Sequence, residues 1–225
     1  MKSALLLSFL LAMSLTANAE DGRKTSLELL VGPAFSATKV LMNAEDNLAS
    51  PGMAFGGRFM AKAAPYVSVG AELQTLSMGE HSSTVLVTHG NSTSKFDSLL
   101  ILAEIKIAAD SGAIRPFGIA GVGFHSTAMK IESTPQTGFV WTNSGTRETR
   151  TAVDSRRTAA ALTLQGGVDF PIGDRVELGL SGSWYYLAEA TYDSTAVARQ
   201  TLPTFGGVKG SITSTALLAN LKYKF

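Results

Sequence analysis

Ala216-Leu217-Leu218-Ala219-Asn220-Leu221-Lys222-Tyr223-Lys224-Phe225 is the stretch on which the reading of this chain turns. Counting back by twos gives Phe225, Tyr223, Leu221, Ala219 and Leu217 on one face. Lys224, Lys222, Asn220, Leu218 and Ala216 make the other. Successive side chains of a strand point to opposite faces, so one face is apolar with an aromatic foot and the other is polar near its end. That pattern predicts a membrane-facing strand whose last ring lies at the lipid–water interface.

Seven further segments alternate in the same way, over 25–35, 53–62, 66–76, 97–107, 115–125, 158–170 and 175–186, with the last strand spanning 212–225. Each has roughly the 9–11 residues that a tilted strand needs to cross a bilayer. The apolar faces carry Leu27, Leu29, Val31 and Phe35 in the first segment, and Leu99, Ile101, Ala103, Ile105 and Ile107 in the fourth. In 115–125 the glycines Gly118, Gly121 and Gly123 leave the register open, and Phe117 with Ile119 is the expected outward pair. The connections 63–65, 108–114 and 171–174 are short, while 36–52, 77–96, 126–157 and 187–211 are long. Short turns at one end and long loops at the other are the habit of bacterial outer-membrane barrels. A soluble lipocalin-like barrel is the competing architecture, but its outward faces would be polar.

The other end of the chain agrees. Lys2 precedes an apolar run from Ala4 to Leu15, and Ala17-Asn18-Ala19 is a small-x-small cleavage site. The expectation is a signal peptide over 1–19 and a single barrel domain over 20–225. The apolar run is shorter than the roughly 20 residues of a spanning helix, and no later run reaches 18 apolar residues, so a closed barrel is the remaining way across a membrane.

Residues 20–225 carry as many basic as acidic side chains, because the 19 Lys and Arg and 18 Asp and Glu of the whole chain include Lys2. A formal charge of zero argues against nucleic acid as a partner. With no Cys, disulfides and thiolate metal sites are excluded. No cofactor is expected.

If the apolar faces meet lipid, the alternate residues point into the lumen. Eight strands leave an interior that side chains nearly fill, not a wide channel. Near the periplasmic end the inward set is charged: Glu28, Lys62, Glu104, Lys106, Asp169, Glu177, Lys222 and Lys224, with Arg58 and Glu72 at mid-height. Arg58, Glu72, Glu104, Lys106, Glu177 and Lys222 are the expected charge network. Higher up the inward set is apolar, and Leu76, Leu100, Leu102, Tyr185 and Leu218 are the candidate ligand-lining residues. Two readings stand side by side. One is simple packing of a narrow barrel, the other a pocket for small hydrophobic molecules. A one-residue slip would exchange the faces.

Arg115-Pro116-Phe117-Gly118-Ile119-Ala120-Gly121-Val122-Gly123-Phe124 resembles a strand of the OmpW/OmpA-like outer-membrane β-barrel superfamily. Gly166-Gly167-Val168-Asp169-Phe170, with the later Trp184-Tyr185-Tyr186, looks like the sixth and seventh strands of OmpW-type barrels. The ending Tyr223-Lys224-Phe225 is similar as well. The resemblance implies an eight-stranded barrel in the outer membrane of a Gram-negative cell. It also implies passage of small hydrophobic compounds and contact with lipid and lipopolysaccharide. Recognition by the barrel assembly machinery, through the strand ending in Phe225, is part of the same expectation.

Catalytic signals are thin. Gly118-x-x-Gly121-x-Gly123 has the wrong order for a dinucleotide fingerprint and opens no helix. His125 stands beside Ser126, and lipid A deacylases of the PagL type resemble this chain in size, but their His-x-Ser order is absent because Thr127 follows. Adjacent strand residues face apart, so His125 and Ser126 would not meet, and Glu132 would serve as acid only if the chain folded back. His81, His89 and Glu80 have no compact metal spacing. Phe139, Val140 and Trp141 mark a contact loop or an upward extension of two strands. Arg147, Arg150, Arg156 and Arg157, with Glu148 and Asp154 among them, fit lipopolysaccharide phosphates or a solvated rim. The expected protein is a non-enzymatic, porin-like barrel, with a structural or adhesive surface barrel as the alternative.

Overall fold

The computed structural model describes residues 25–40, 48–85, 90–109, 111–135, 149–196, 198 and 207–225. The expected leader and its cleavage site at Ala19 lie outside these residues, as do His89 and the loop triplet Phe139, Val140 and Trp141.

Nine strands follow one another: β1 (Thr25–Val40), β2 (Leu48–Ala64), β3 (Val67–Met78), β4 (His81–Val85), β5 (Gly90–Ala108), β6 (Arg115–Pro135), β7 (Arg150–Pro171), β8 (Val176–Asp193) and β9 (Gly207–Lys224). All the pairings are antiparallel between sequence neighbours, and β9 pairs with β1. β3 and β4 both pair with β5, one continuing past the other, so the nine segments make eight staves of a closed ring. Among the described residues closure through β3 and β5 leaves no unpaired edge at that level, which a lipid environment demands of a sheet, and the short β4 above it pairs with β5 alone. Among the described residues no helix is long and apolar enough to cross a membrane.

The eight predicted segments fall within these strands to within one residue, Tyr66, Arg175 and Phe225 lying just outside, and keep the predicted faces in seven of them. The outward wall is an apolar band: Leu29, Val31, Phe55, Leu73, Ile105, Val122, Leu162, Leu164, Leu180, Leu217 and Leu221 are all exposed. Below it Tyr223 and Phe225 pack edge to face, with centroids 5.0 Å apart, at the interface end of the last strand. The short connections are at this end, and Gly112 and Gly173 supply the positive φ values of 106° and 101° in two of them.

The exception is β6. Phe117 and Ile119 were expected outward, yet they are buried in the lumen, 7% and 4% exposed, and Val122 and Phe124 face out instead. The reason is local. Phe117 is the direct cross-strand partner of Gly167, whose bare Cα leaves the room its ring occupies; a Cβ there would come within 2.8 Å of Phe117 Cζ. The ring also lies under the Lys106 ammonium, 4.0 Å from its centroid.

The strands outrun the prediction at the far end. β5, β6 and β7 have 19, 21 and 22 residues, taking in much of what was expected to be loop over 77–96 and 126–157. In these upper parts the outward face is polar, with Lys95, Asp97, Lys130 and Asp154 exposed while Phe96, Met129 and Val153 are buried inward, so the outward apolar stripe ends although the backbone ladder continues.

Candidate functional site in the barrel lumen

Charged residues from all eight staves meet in the lower lumen, because the pairing register sets them opposite one another. Glu177 of β8, Lys222 of β9, Glu28 of β1, Arg58 of β2 and Glu72 of β3 are successive cross-strand partners. Their signs alternate without a break over five adjacent staves. Arg58 is the centre. Its Nη1 donates to Glu28 Oε2 at 2.9 Å and its Nε to Glu104 Oε2 at 2.6 Å, while Nη2 reaches both Glu72 and Gln165. The guanidinium is fully buried, and a planar fork of five donors suits such convergence. Below it Lys106 Nζ lies 3.0 Å from both Glu28 Oε1 and Asp169 Oδ2. Lys222 Nζ stands 2.8 Å from Glu177 Oε2 and 3.5 Å from Asp169 Oδ2. Arg115 Nη1, 2.6 Å from Glu177 Oε1, and Lys224 complete the set. Buried charges are tolerable when paired and hydrogen-bonded in this way.

All six residues of the expected charge network are therefore brought together. Sequence reasoning missed Gln165, which is polar but uncharged, and Arg115, which stands where β6 begins. Gly121 was also a silent member: a Cβ there would come within 2.9 Å of Glu104 Cγ, so the bare backbone makes room for the Glu104 side chain.

Above the ionic layer Leu76, Leu100, Leu102, Tyr185 and Leu218, each at most 1% exposed, join one apolar cluster with Leu30, Leu187 and Ile212. Phe96, Met129, Tyr192 and Val208 extend it upward from segments that had read as loop. Tyr185 donates its hydroxyl to Gln74 Oε1 at 2.6 Å. The cluster is packed side chain against side chain, with a polar stitch on one wall. His125 Nε2 is 3.2 Å from the Ala188 carbonyl oxygen, which only accepts; in the neutral ring Nε2 then carries the proton and Nδ1 accepts from Thr127 Oγ1 at 2.8 Å. Ser98 Oγ closes the chain at 2.7 Å from Thr127. Ser126 is on the opposite face, and Glu132 pairs on the outside with Lys130 at 2.6 Å, so the hydrolase constellation does not assemble.

At the extracellular end Arg157 turns to Asp193 and donates through Nε to the Thr191 carbonyl at 2.9 Å. Arg156 and Asp154 are exposed on the outer wall, whereas Arg147 and Glu148 lie outside the described residues.

A closed eight-stave barrel with an apolar outer wall and a lumen filled by charge pairs and aliphatic side chains is a transmembrane β-barrel of the outer membrane. The chain matches the family described as "Outer membrane protein beta-barrel domain" over residues 3–225, and it belongs to that family. No curated protein matches it. Solved structures with a similar fold include Neisserial surface protein A, at 12% identity and TM-score 0.48, covering 88% of this chain and 97% of that one. The outer membrane protein OprG of Pseudomonas aeruginosa is 11% identical, at TM-score 0.43 over 90% and 97%. The outer membrane protease OmpT of Escherichia coli is 8% identical, at TM-score 0.48 over 90% and 97%. These likenesses, at 8–12% identity, concern the fold alone.

Proposed function

We propose that this barrel is a non-enzymatic outer-membrane protein that binds a small hydrophobic molecule in its upper lumen. One observation carries the reading: a continuous aliphatic layer, including Leu76, Leu100, Leu102 and Leu218, stands directly above an ionic floor, and an apolar ligand would bind by parting these packed side chains. Such a lining with a few placed polar groups, here Tyr185 and Gln74, is what an apolar ligand site needs. The same floor speaks for binding from the extracellular side rather than axial passage. The buried Arg58 has Glu28, Glu72, Glu104 and Gln165 on all sides, and an apolar molecule would have to break those contacts to move below it.

The test is titration of the refolded barrel with a fluorescent fatty-acid probe, alongside Leu100→Glu, Leu102→Glu and the milder Leu218→Phe. Saturable binding, weakened in variants that keep the folded electrophoretic mobility, supports the reading. Absence of saturable binding by the native barrel ends it.

A second reading has its own observation. β5, β6 and β7 rise well beyond the 9–11 residues that a bilayer requires and form a wall outside the membrane. This suits a structural or adhesive surface barrel. Ala128 and Arg156 are register partners, so replacing 130–155 by a short turn trims the wall just above that rung. Loss of cell-surface adhesion with an intact barrel would favour this role.

Export by a leader ending at Ala19 belongs to the same proposal, and amino-terminal sequencing of the membrane form is expected to begin at Glu20. The proposed partners are outer-membrane lipid, lipopolysaccharide at the outer rim, and the barrel assembly machinery through the strand ending in Phe225.

A further inference from the structure

We propose that the periplasmic mouth of the barrel is a binding site for a phosphate-class oxyanion. It is separate from the apolar upper lumen and does not depend on a ligand there.

The basis is an uneven spread of charge along the barrel axis. The lower lumen balances overall, with Arg58, Lys106, Arg115, Lys222 and Lys224 against Glu28, Glu72, Glu104, Asp169 and Glu177. The balance is not local. At mid-height Arg58 faces Glu72 and Glu104 and shares Glu28 with Lys106 below, and the second carboxylate oxygens of Glu72 and Glu104 have no hydrogen-bond partner among the described residues. Arg58 against Glu72 and Glu104 leaves that layer with a surplus of one negative charge. At the mouth Lys106, Arg115, Lys222 and Lys224 face Glu28, Asp169 and Glu177, a surplus of one positive charge that Lys62, also on the lining, raises to two. The zero net charge of residues 20–225 conceals this separation.

The surplus borders a cavity. A crevice of about 100 Å³ opens at this end, between the starts of β1 and β8, the β2–β3 turn and the end of β9. Its volume is that of about three waters, the scale of one phosphate ion. Besides the cations, the hydroxyl-bearing side chains of Ser26, Ser68 and Tyr66 line it. The carboxylates present hold the cations in place. Glu177 binds Arg115, Lys222 and Lys224 together, so three donors are gathered at one edge before an anion arrives. Point-charge lysines with a guanidinium alongside are a usual phosphate-binding set. A phosphate there would offset the positive surplus.

Phosphate of this kind reaches the periplasmic face either free in solution or as a phospholipid headgroup. The experiment separates the two. Inorganic phosphate is titrated into the detergent-refolded barrel by calorimetry. In parallel, thermal unfolding is followed in phosphatidylcholine vesicles with and without phosphatidylglycerol. The variants are Arg115→Gln, Lys224→Gln and the pair, with Lys209→Gln at the extracellular end as control. Both mouth residues are partly solvent-exposed, at 23% and 21%, so folding should survive, and retained folded mobility verifies it. Each single variant is expected to weaken binding about tenfold or more, since a charge-assisted hydrogen bond is lost, while the control is silent. Phosphate binding lost in the pair assigns free phosphate. Stabilisation by phosphatidylglycerol alone, lost in the pair, assigns the headgroup. If neither anion acts, or if the pair behaves as the native chain, the proposal is overturned. Because the apolar-probe titration uses different residues, failure of either proposal leaves the other intact.

Discussion

Glu28 and Lys222 face each other across the seam where the first and last staves of the barrel meet, with Lys222 Nζ 4.0 Å from Glu28 Oε1. Glu28 also accepts from Arg58 on the other side and from Lys106 below. One carboxylate thus ties β9, β1, β2 and β5 together at the point where the ring closes. A one-residue slip of β9 would turn Lys222 toward lipid and leave Glu28 short of a partner, so the charge ladder fixes the closing register.

Glu28→Ala should therefore destabilise the barrel by about 1–3 kcal/mol, because it removes charge-assisted hydrogen bonds of Arg58 and Lys106 and the tie across the seam, while Glu72, Glu104 and Asp169 still face those cations. Urea unfolding in lipid vesicles measures this. Glu28→Gln, which keeps the shape and an acceptor, should cost less. Equal stability of Glu28→Ala and the native chain would mean that the ladder has no role in closure.

Phe117 packs into the space above Gly167 and under Lys106. Phe117→Ala should cost about 3–5 kcal/mol through the cavity it leaves, and Phe117→Leu should recover part of it. The outward Phe124 makes a contrast: Phe124→Ala trades one lipid contact for another and should cost clearly less. A reversed order in equilibrium unfolding would return β6 to the register expected from sequence.

Two glycines separate steric need from mere occurrence. At Gly123 a Cβ would come within 2.0 Å of the Ile101 carbonyl oxygen, whereas at Gly182 it would meet nothing within 4 Å. Gly123→Ala is expected to destabilise by about 1–3 kcal/mol. Gly182→Ala should be neutral or stabilise by about 0.5–1 kcal/mol, since alanine orders a strand at less entropic cost. Thermal unfolding of the two variants side by side decides it.

The outer wall predicts its own depth profile. Leu164 lies mid-stave and exposed, and Leu164→Lys should cost about 2–4 kcal/mol in a bilayer. Thr158→Lys, six residues nearer the extracellular rim on the same face, should cost about 0–1 kcal/mol. Equal costs would place the membrane band elsewhere on the barrel.

The period-two pattern was enough for the eight staves, their outward faces in seven cases, and the membership of both lumen sets. Leu76, Leu100, Leu102, Tyr185 and Leu218 do share one cluster, and Arg58, Glu72, Glu104, Lys106, Glu177 and Lys222 do share one network. The physical reason is that a bilayer imposes one apolar face on every crossing strand, and alternation then assigns the rest. The upper extensions were not legible, because outside the membrane the backbone ladder persists without any demand for an apolar outward face. Nor was the inward turn of Phe117. That depended on the absence of a side chain at Gly167 one strand away and on the Lys106 ammonium from the other neighbour, a relation that exists only once three strands are in register. The sequence by itself determined which residues meet lipid and which meet the lumen. Only the closed ring decided which charges pair, because pairing partners as far apart as Glu28 and Lys222 are neighbours through closure alone.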